Sequence, residues 1–411
     1  METKNYSLKD FQLNNLSISA LDRIKEFQSY IDQQSELGCD SYWIESYSAI
    51  GSRMRISKYA NVIAFVSNDY LGMSQREETK AAAREAIDKY GTGACAAQVI
   101  GGYLDIHKLL EQEIAEFVGQ ESALLFSSGF GANSGILGSL LGKDDLAIID
   151  PYVHTSVMAG LQSTNIKRFI HNDIDSLEYL IKREKGNYKT IMVIIDGVYS
   201  QDGDLANLPG IINVCKKNDV ILMMDDAHGI GVMGDNGRGT SEHFNCLGEI
   251  DIITGTFSKS FGAVGGFVAA SKKMIQYLKY YADTNIFSAA ITPQVTASVL
   301  AALKIIKREP EIREKLWSNV KLLREKLNEY GFDIGKSVSP IFPIMVRDNK
   351  KVYEVSKLLR EMGIFTIGIV YPAVRMKEAR LRVNVLATHT QEDIIKLVNG
   401  LIELDRMLKL K

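Results

Sequence analysis

Apolar and polar positions along the chain follow two alternating periods. From about residue 60, short apolar runs (VIAFVS, ALLF, LAIID, TIMVIID, VILMMDD, IDIITGT and GGFVAA) are separated by stretches with helical spacing, such as HKLLEQEIAEFV and DSLEYLIKRE. That alternation predicts an α/β unit, with a mostly parallel, seven-stranded type of sheet covered by helices on both faces. Ahead of it, residues 1–58 carry helical spacing, clearest in LDRIKEFQSYI, and few strand signals, so a helical arm is expected there. The large domain is expected over 59–290. Near residue 291 the pattern changes to a long helical region interrupted at Pro310, then the strand-like runs PIFPIMV, IFTIGIV and ARLRVNVL, and a final helix QEDIIKLVNGLIELDRML. Residues 291–411 are therefore expected to form a smaller C-terminal α+β domain with a long linking helix.

Composition narrows the function classes. The 411 residues are 46% apolar, and 48 basic against 50 acidic side chains give a net charge of −2. Without a basic block, nucleic acid is not an implied partner. The apolar runs fall short of the ~20 residues needed to span a bilayer. The start METKNYSLKDFQ lacks the basic-then-apolar pattern of a signal peptide, so a cytoplasmic location is expected. Cys39, Cys95, Cys215 and Cys246 are scattered without CxxC spacing, which speaks against a zinc site or a disulfide framework. No histidine has metal-ligand spacing, and no metal is expected.

In open α/β sheets, ligands gather at the carboxyl ends of the strands. ALLF is followed there by SSGFGAN, VILMMDD by AHG, and IDIITGT by FSKSFGAVGG. Gly129, Gly131 and Gly135 have GxGxxxG spacing rather than the GxGxxG of a nicotinamide site, and Asp150 closes LAIID about twenty residues on. A glycine turn at a helix start still suits a phosphate, because free backbone N–H groups and the helix dipole favour an anion. Lys259, set among hydroxyls and glycines, could form an imine with an aldehyde. Asp225, at a strand end, could keep a pyridine nitrogen protonated. That pair is what pyridoxal phosphate chemistry requires. Taken singly, each has a plainer reading: a strand-end aspartate as a helix cap, a loop lysine as a solvated charge. His107 is expected to cap or pack at a helix start; His171, His243 and His389 are expected in loops or at the surface.

GTFSKSFGAVGG, DDAHGIGVMGDNGRG, GVYSQDGD, SNDYLG, SGFGAN and ARLRVNVLATHT together resemble the α-oxoamine synthases over roughly residues 60–400. These are fold-type-I pyridoxal phosphate transferases that condense an amino acid with an acyl thioester. The resemblance implies that Lys259 carries the cofactor imine and serves as base at the amino acid Cα, that Asp225 pairs with the pyridine nitrogen, and that His228 hydrogen-bonds the ring hydroxyl. It implies that Gly129, Phe130, Thr256 and Ser258 hold the phosphate or steady the lysine loop, and that Ser288 reaches the phosphate from a partner subunit. His154 would stack on the ring and help orient the substrate, Ser200 would line the ring, and Asn68 with Arg382 would bind the substrate carboxylate.

A homodimer with shared sites follows from the same resemblance. So does a decarboxylating, Claisen-type condensation with a coenzyme A or acyl-carrier-protein thioester. The lysine loop is most similar to the long-chain, serine palmitoyltransferase-like branch. Against that branch stand Val370, where some bacterial members carry arginine, and Gln98, which ends AAQ in place of a common GSR. Arg375, Lys377 and Arg380 add positive charge, which suits either solvated surface or an extra anion such as the sulfonate of cysteate. Serine or cysteate is the expected amino acid. Glycine C-acetyltransferase, 8-amino-7-oxononanoate synthase and, more distantly, transaminase activities remain alternatives.

Overall fold

The computed structural model describes residues 18–36, 42–57, 59–375 and 377–411. Cys39 and the segment METKNYSLKDFQ lie outside them. The chain divides into a larger unit, Asn68–Trp317, and a smaller one that joins the described residues up to Ser67 to Ser318–Lys411. The division falls inside the helix Pro310–Glu329 rather than at residue 290. The reason is packing: the helix Pro293–Arg308 lies against the helices Glu77–Tyr90 and Asp105–Val118, and the Trp317 indole donates to the Val232 carbonyl at 3.0 Å.

In chain order, the smaller unit's described elements begin with a helix, Ala20–Glu36, and continue with the strands β1 (Arg53–Ile56), which falls within the expected helical arm, and β2 (Tyr59–Ala64). The larger unit holds β3 (Ser122–Phe126), β4 (Leu146–Ile149), β5 (Asn165–Arg168), β6 (Ile191–Asp196), β7 (Ile221–Asp225), β8 (Ile252–Thr256) and β9 (Gly266–Ala270). The smaller unit resumes with β10 (Ile341–Met345), β11 (Ile364–Phe365), β12 (Ile367–Ile369) and β13 (Arg380–Asn384).

The larger unit's seven strands are ordered β3-β9-β8-β7-β6-β4-β5, and β9 alone runs against the others. Strands β4, β8 and β9 are buried at every position, as expected where helices cover both faces. Leu124, Ile149, Ile194, Met223, Ile252 and Val268 are among the side chains of its dry core. The expected mostly parallel, seven-stranded α/β sheet is therefore present, with one exchange of membership. VIAFVS belongs to the smaller unit, where β2 pairs with β1 and β11. The seventh place is taken by β5, the polar sequence NIKR, which sits at the sheet edge where little of it needs burial.

IFTIGIV likewise divides. β11 pairs in parallel with β2, while β12 pairs antiparallel with β13, so a single apolar run serves two sheets. The helices Pro293–Arg308 and Pro310–Glu329 break where Pro310 removes a backbone donor, and the last helix spans Gln391–Leu408 under a Thr390 capping box.

Candidate active site

The carboxyl ends of β3, β4, β6, β7 and β8 open on a cavity of about 260 Å³ lined by the larger unit. Each expected group enters from a different connection. After β3, Ser128 caps the helix Gly129–Leu140, its Oγ accepting the Gly131 N–H at 2.9 Å, so Gly129 and Phe130 head the helix at the cavity wall. After β4 comes His154, after β6 Ser200, after β7 Asp225 and His228, and at the end of β8 Thr256, Ser258 and Lys259.

Local chemistry fixes these positions. Asp225 is buried; its Oδ2 accepts from the Asn133 amide at 2.6 Å and its Oδ1 from the Ala227 N–H at 3.0 Å. Asn133 also donates to Ser156 Oγ at 2.9 Å and accepts from Thr254 Oγ1 at 2.6 Å. A buried carboxylate surrounded this way keeps one orientation. The lysine turn is built on its own backbone. Gly262 N–H bonds the Lys259 carbonyl at 2.8 Å, Phe257 N–H bonds the Gly265 carbonyl at 3.0 Å, and the rings of Phe257 and Phe261 are buried beneath. Gly262 has φ +62°, and a Cβ there would meet Ser74 N at 2.2 Å, so only glycine closes this turn. Thr256 Oγ1 lies 2.8 Å from Ser258 Oγ and donates to the Gly265 carbonyl at 2.9 Å.

His154 caps the helix Thr155–Gly160, with Nδ1 2.7 Å from Ser156 Oγ, and meets the Phe130 ring edge-on at 6.4 Å. Desolvation by the pocket wall lowers its imidazole below the ordinary histidine range; Asp225 opposes the shift and Lys259 adds to it. His228 is buried, with Nδ1 2.8 Å from the Tyr70 hydroxyl.

Three expected residues, Ser288, Asn68 and Arg382, are not among those lining the cavity. Ser288 Oγ is 3.3 Å from Ser127 Oγ, beside the start of the Gly129–Leu140 helix. Asn68 opens the larger unit, and Arg382 lies on β13, the central strand of its three-stranded sheet in the smaller unit.

Asn133, Ser156 and Asp196 line the cavity although the sequence reading passed over them. Asn133 and Ser156 sit inside helices among small and apolar neighbours. Asp196 ends an apolar strand run as Asp225 does, and that signal was available. Burial raises the Asp196 carboxyl well above the usual carboxylate range, and nearby Asp225 pushes the same way. Asp226, neighbour to Asp225, is instead structural: it accepts from Thr240 N–H at 2.7 Å and Thr240 Oγ1 at 2.6 Å, and burial lifts it to about 7.

His171 and His389 lie in loops, as expected, but are enclosed there, and the open charge expected at Arg380 is not found. His389 is fully buried, accepts the Leu386 N–H at 2.9 Å and stacks on Phe65 at 4.3 Å; it locks the ATHT turn. His171 bridges two aspartates, Asp150 and Asp204. Arg380 is buried and paired with Glu378 at 3.2 Å, so it adds no open charge. His107 does cap its helix, its Nδ1 accepting the Leu104 N–H at 3.0 Å.

Residues 60–401 match the aminotransferase class I and II family. The chain belongs to that family. Within it, 8-amino-7-oxononanoate synthase of Petrotoga mobilis is 44% identical over 336 residues, covering 81% of this chain and 86% of that protein. Serine palmitoyltransferase of Sphingobacterium spiritivorum is 39% identical over 352 residues, covering 85% and 88%. The solved structure of serine palmitoyltransferase from S. paucimobilis, with a bound PLP–myriocin aldimine, superposes with TM-score 0.91 at 29% identity over 96% of this chain and all of that one. The family member described here is thus an α-oxoamine synthase with the fold-type-I transferase architecture. No helix among its described residues is long and apolar enough to cross a membrane.

Proposed function

We propose that the chain holds pyridoxal phosphate in the cavity and catalyses a decarboxylating condensation of serine with a long-chain acyl thioester. The observation that carries this is the placement of Lys259 and the clamped Asp225 around one cavity headed by the Gly129–Leu140 helix N-terminus. The cavity fits the cofactor. A Cβ at Gly129 would meet Thr256 Cβ at 2.9 Å and one at Gly266 would meet Gly129 N at 2.5 Å, so the glycines bring a helix N-terminus and the threonine hydroxyl together, as a phosphate needs. Asp225, buried in the same cavity wall, is suited to a pyridinium.

When bound, the cofactor supplies an electron sink for the bond broken at the amino acid Cα. The chain's own groups do the rest. Asp225 keeps a proton on the pyridine nitrogen. The Lys259 amine would hold the cofactor's aldehyde carbon and, once the amino acid's amine has displaced it, would take the proton from Cα and return it. His154 orients the substrate over the cavity, Ser200 lines the ring, and His228, steadied by Tyr70, faces the ring hydroxyl. Thr256 and Ser258 hold phosphate oxygens or the lysine turn. Arg382 and Asn68 are assigned the substrate carboxylate on the resemblance of their motifs, since a guanidinium grips a carboxylate bidentately. The shared-site homodimer, with Ser288 reaching a partner's phosphate, belongs to the same reading.

Serine is preferred to cysteate because Arg380 is already neutralised by Glu378, which leaves less charge for a sulfonate. A second reading, 8-amino-7-oxononanoate synthesis from alanine, is favoured by the 44% identity to the Petrotoga mobilis enzyme. Steady-state assays of serine, cysteate, alanine and glycine, each with palmitoyl, pimeloyl and acetyl thioesters, separate them. Highest kcat/KM for serine with palmitoyl thioester is expected; alanine with a pimeloyl thioester as the best pair would install the second reading.

A further inference from the structure

Two connections bring His154 and Ser200 to the cavity wall, and among the described residues no strand pairing joins the two beyond the ends of β4 and β6. One runs from Asp150, after β4, to His154; the other runs from Gly197, after β6, through Val198 and Ser200 to Asp204. His171 stands between them. Its Nδ1 is 2.9 Å from Asp150 Oδ2 and its Nε2 is 2.8 Å from Asp204 Oδ2. Asp150 is fully buried, Asp204 nearly so, and the imidazole is largely enclosed. An imidazole can satisfy a carboxylate at each nitrogen only when both nitrogens carry hydrogen.

The surroundings support the same ring position. The Tyr152 ring lies 4.4 Å from the imidazole and the Tyr199 ring meets it edge-on at 4.7 Å. Asn172, held at φ +58°, donates its backbone N–H to Asp150 Oδ2 at 3.3 Å and its amide to the Leu205 carbonyl at 2.9 Å. The second connection is closed on itself by Tyr199 N–H to the Asp204 carbonyl at 3.0 Å. The groups facing His171 are thus Asp150 and Tyr152 from the first connection, Tyr199 and Asp204 from the second, and neutral Asn172 from its own turn.

We propose that His171 is a positioning residue which, in its protonated form, ties these two connections and so sets where His154 and Ser200 meet the substrate. Desolvation works against its charge, but the hydrogen bonds and charges of Asp150 and Asp204 outweigh it and lift the imidazole to about 9, above its ordinary value of 6.5. The clamp is therefore complete below pH ~6.5, where even an unperturbed histidine is charged, and it is lost as the pH rises through about 9. The inference takes the cavity of the preceding section as the site and holds whichever amino acid and thioester react there.

Histidine-selective ¹⁵N NMR of the holoenzyme tests it, with the His171 signal assigned by its loss in His171→Gln. Both ring nitrogens should stay protonated to about pH 9. Titration at or below ~6.5 overturns the proposal. Asp204→Asn should lower that pKa and move the alkaline limb of kcat down with it; a limb that stays in place also overturns it. In His171→Gln, amide hydrogen exchange should quicken roughly tenfold or more in segments 150–158 and 197–205 and stay unchanged in β7; unchanged exchange in both segments contradicts the clamp. If His171→Gln does not fold, the His171 signal is assigned instead by its shift in Asp204→Asn, and the NMR titration of the unsubstituted protein still decides. Because exchange and titration are read without turnover, failure of the proposed reaction would leave this result standing, and the reverse holds too.

Discussion

Asn133 donates its side-chain amide to Asp225 across 2.6 Å while accepting from Thr254 at 2.6 Å, so one residue in the Gly129–Leu140 helix links that helix to the ends of β7 and β8. The carboxylate proposed to face the pyridine nitrogen is thereby aimed by the same helix whose N-terminus is proposed to face the phosphate.

Replacing Asn133 by Ala removes that link and leaves a buried carboxylate one donor short. A loss of about 1–3 kcal/mol in stability is expected, by chemical denaturation, from the unsatisfied group. Cofactor affinity, by fluorescence titration, should weaken at least roughly tenfold, which corresponds to about 1.4 kcal/mol. An unchanged cofactor affinity would show that Asp225 needs no aiming.

Lys259→Ala should fold normally and lose kcat by more than about a thousandfold, since imine formation and proton transfer at Cα both depend on its amine. Borohydride reduction of the unsubstituted protein with its cofactor, followed by peptide mapping, should put the pyridoxyl group on Lys259. A label on another lysine would reassign the role.

At Gly266 a side chain would approach Gly129 N at 2.5 Å and Gly129 Cα at 2.6 Å, both backbone atoms. Neither can rotate away. Gly266→Ala is therefore expected to destabilise the protein by about 1–3 kcal/mol and to displace the phosphate-facing helix end. Thermal unfolding and cofactor titration read the two effects; an alanine variant equal to the parent in both would show that the strand and helix can separate there.

His389 predicts an acid-side loss of stability. Burial lowers its folded pKa to about 4, so the folded state resists a proton that the unfolded chain accepts near 6.5. This stability is fully present above pH ~6.5 and is lost as the pH falls toward 4, amounting to about 3 kcal/mol. Urea unfolding at pH 7 and pH 4.5 should show the difference, and His389→Asn, though less stable at pH 7, should show a flatter dependence. An equal slope in both proteins would place the acid sensitivity elsewhere.

Arg382→Ala should raise KM for the amino acid roughly ten- to a hundredfold with a smaller effect on the thioester, because a lost bidentate pair removes recognition of the carboxylate. Equal increases for both substrates would remove Arg382 from that role.

The sheet was legible where strands are apolar throughout, and failed where the chain economises on burial. β5 is NIKR at an edge, where the period of hydrophobicity carries no signal. The site was legible through Lys259 and Asp225 because they interrupt apolar or glycine-rich surroundings. Asn133 was not, since an asparagine inside SGFGAN reads as a turn residue until the fold brings Asp225 beside it. The loop placement of His171 and His389 was legible but their enclosure was not, because partners such as Asp150 and Ala64 lie 21 and 325 positions away in sequence.

The central claim is that this chain joins an amino acid to an acyl group with loss of the amino acid's carboxyl. Serine labelled with ¹³C in the carboxyl group, incubated with holoenzyme and palmitoyl thioester, tests it most directly. Labelled carbon dioxide should appear in step with free thiol and a long-chain α-oxoamine, and only when the thioester is present. Amino-group transfer to the cofactor with the labelled carboxyl retained would contradict the claim.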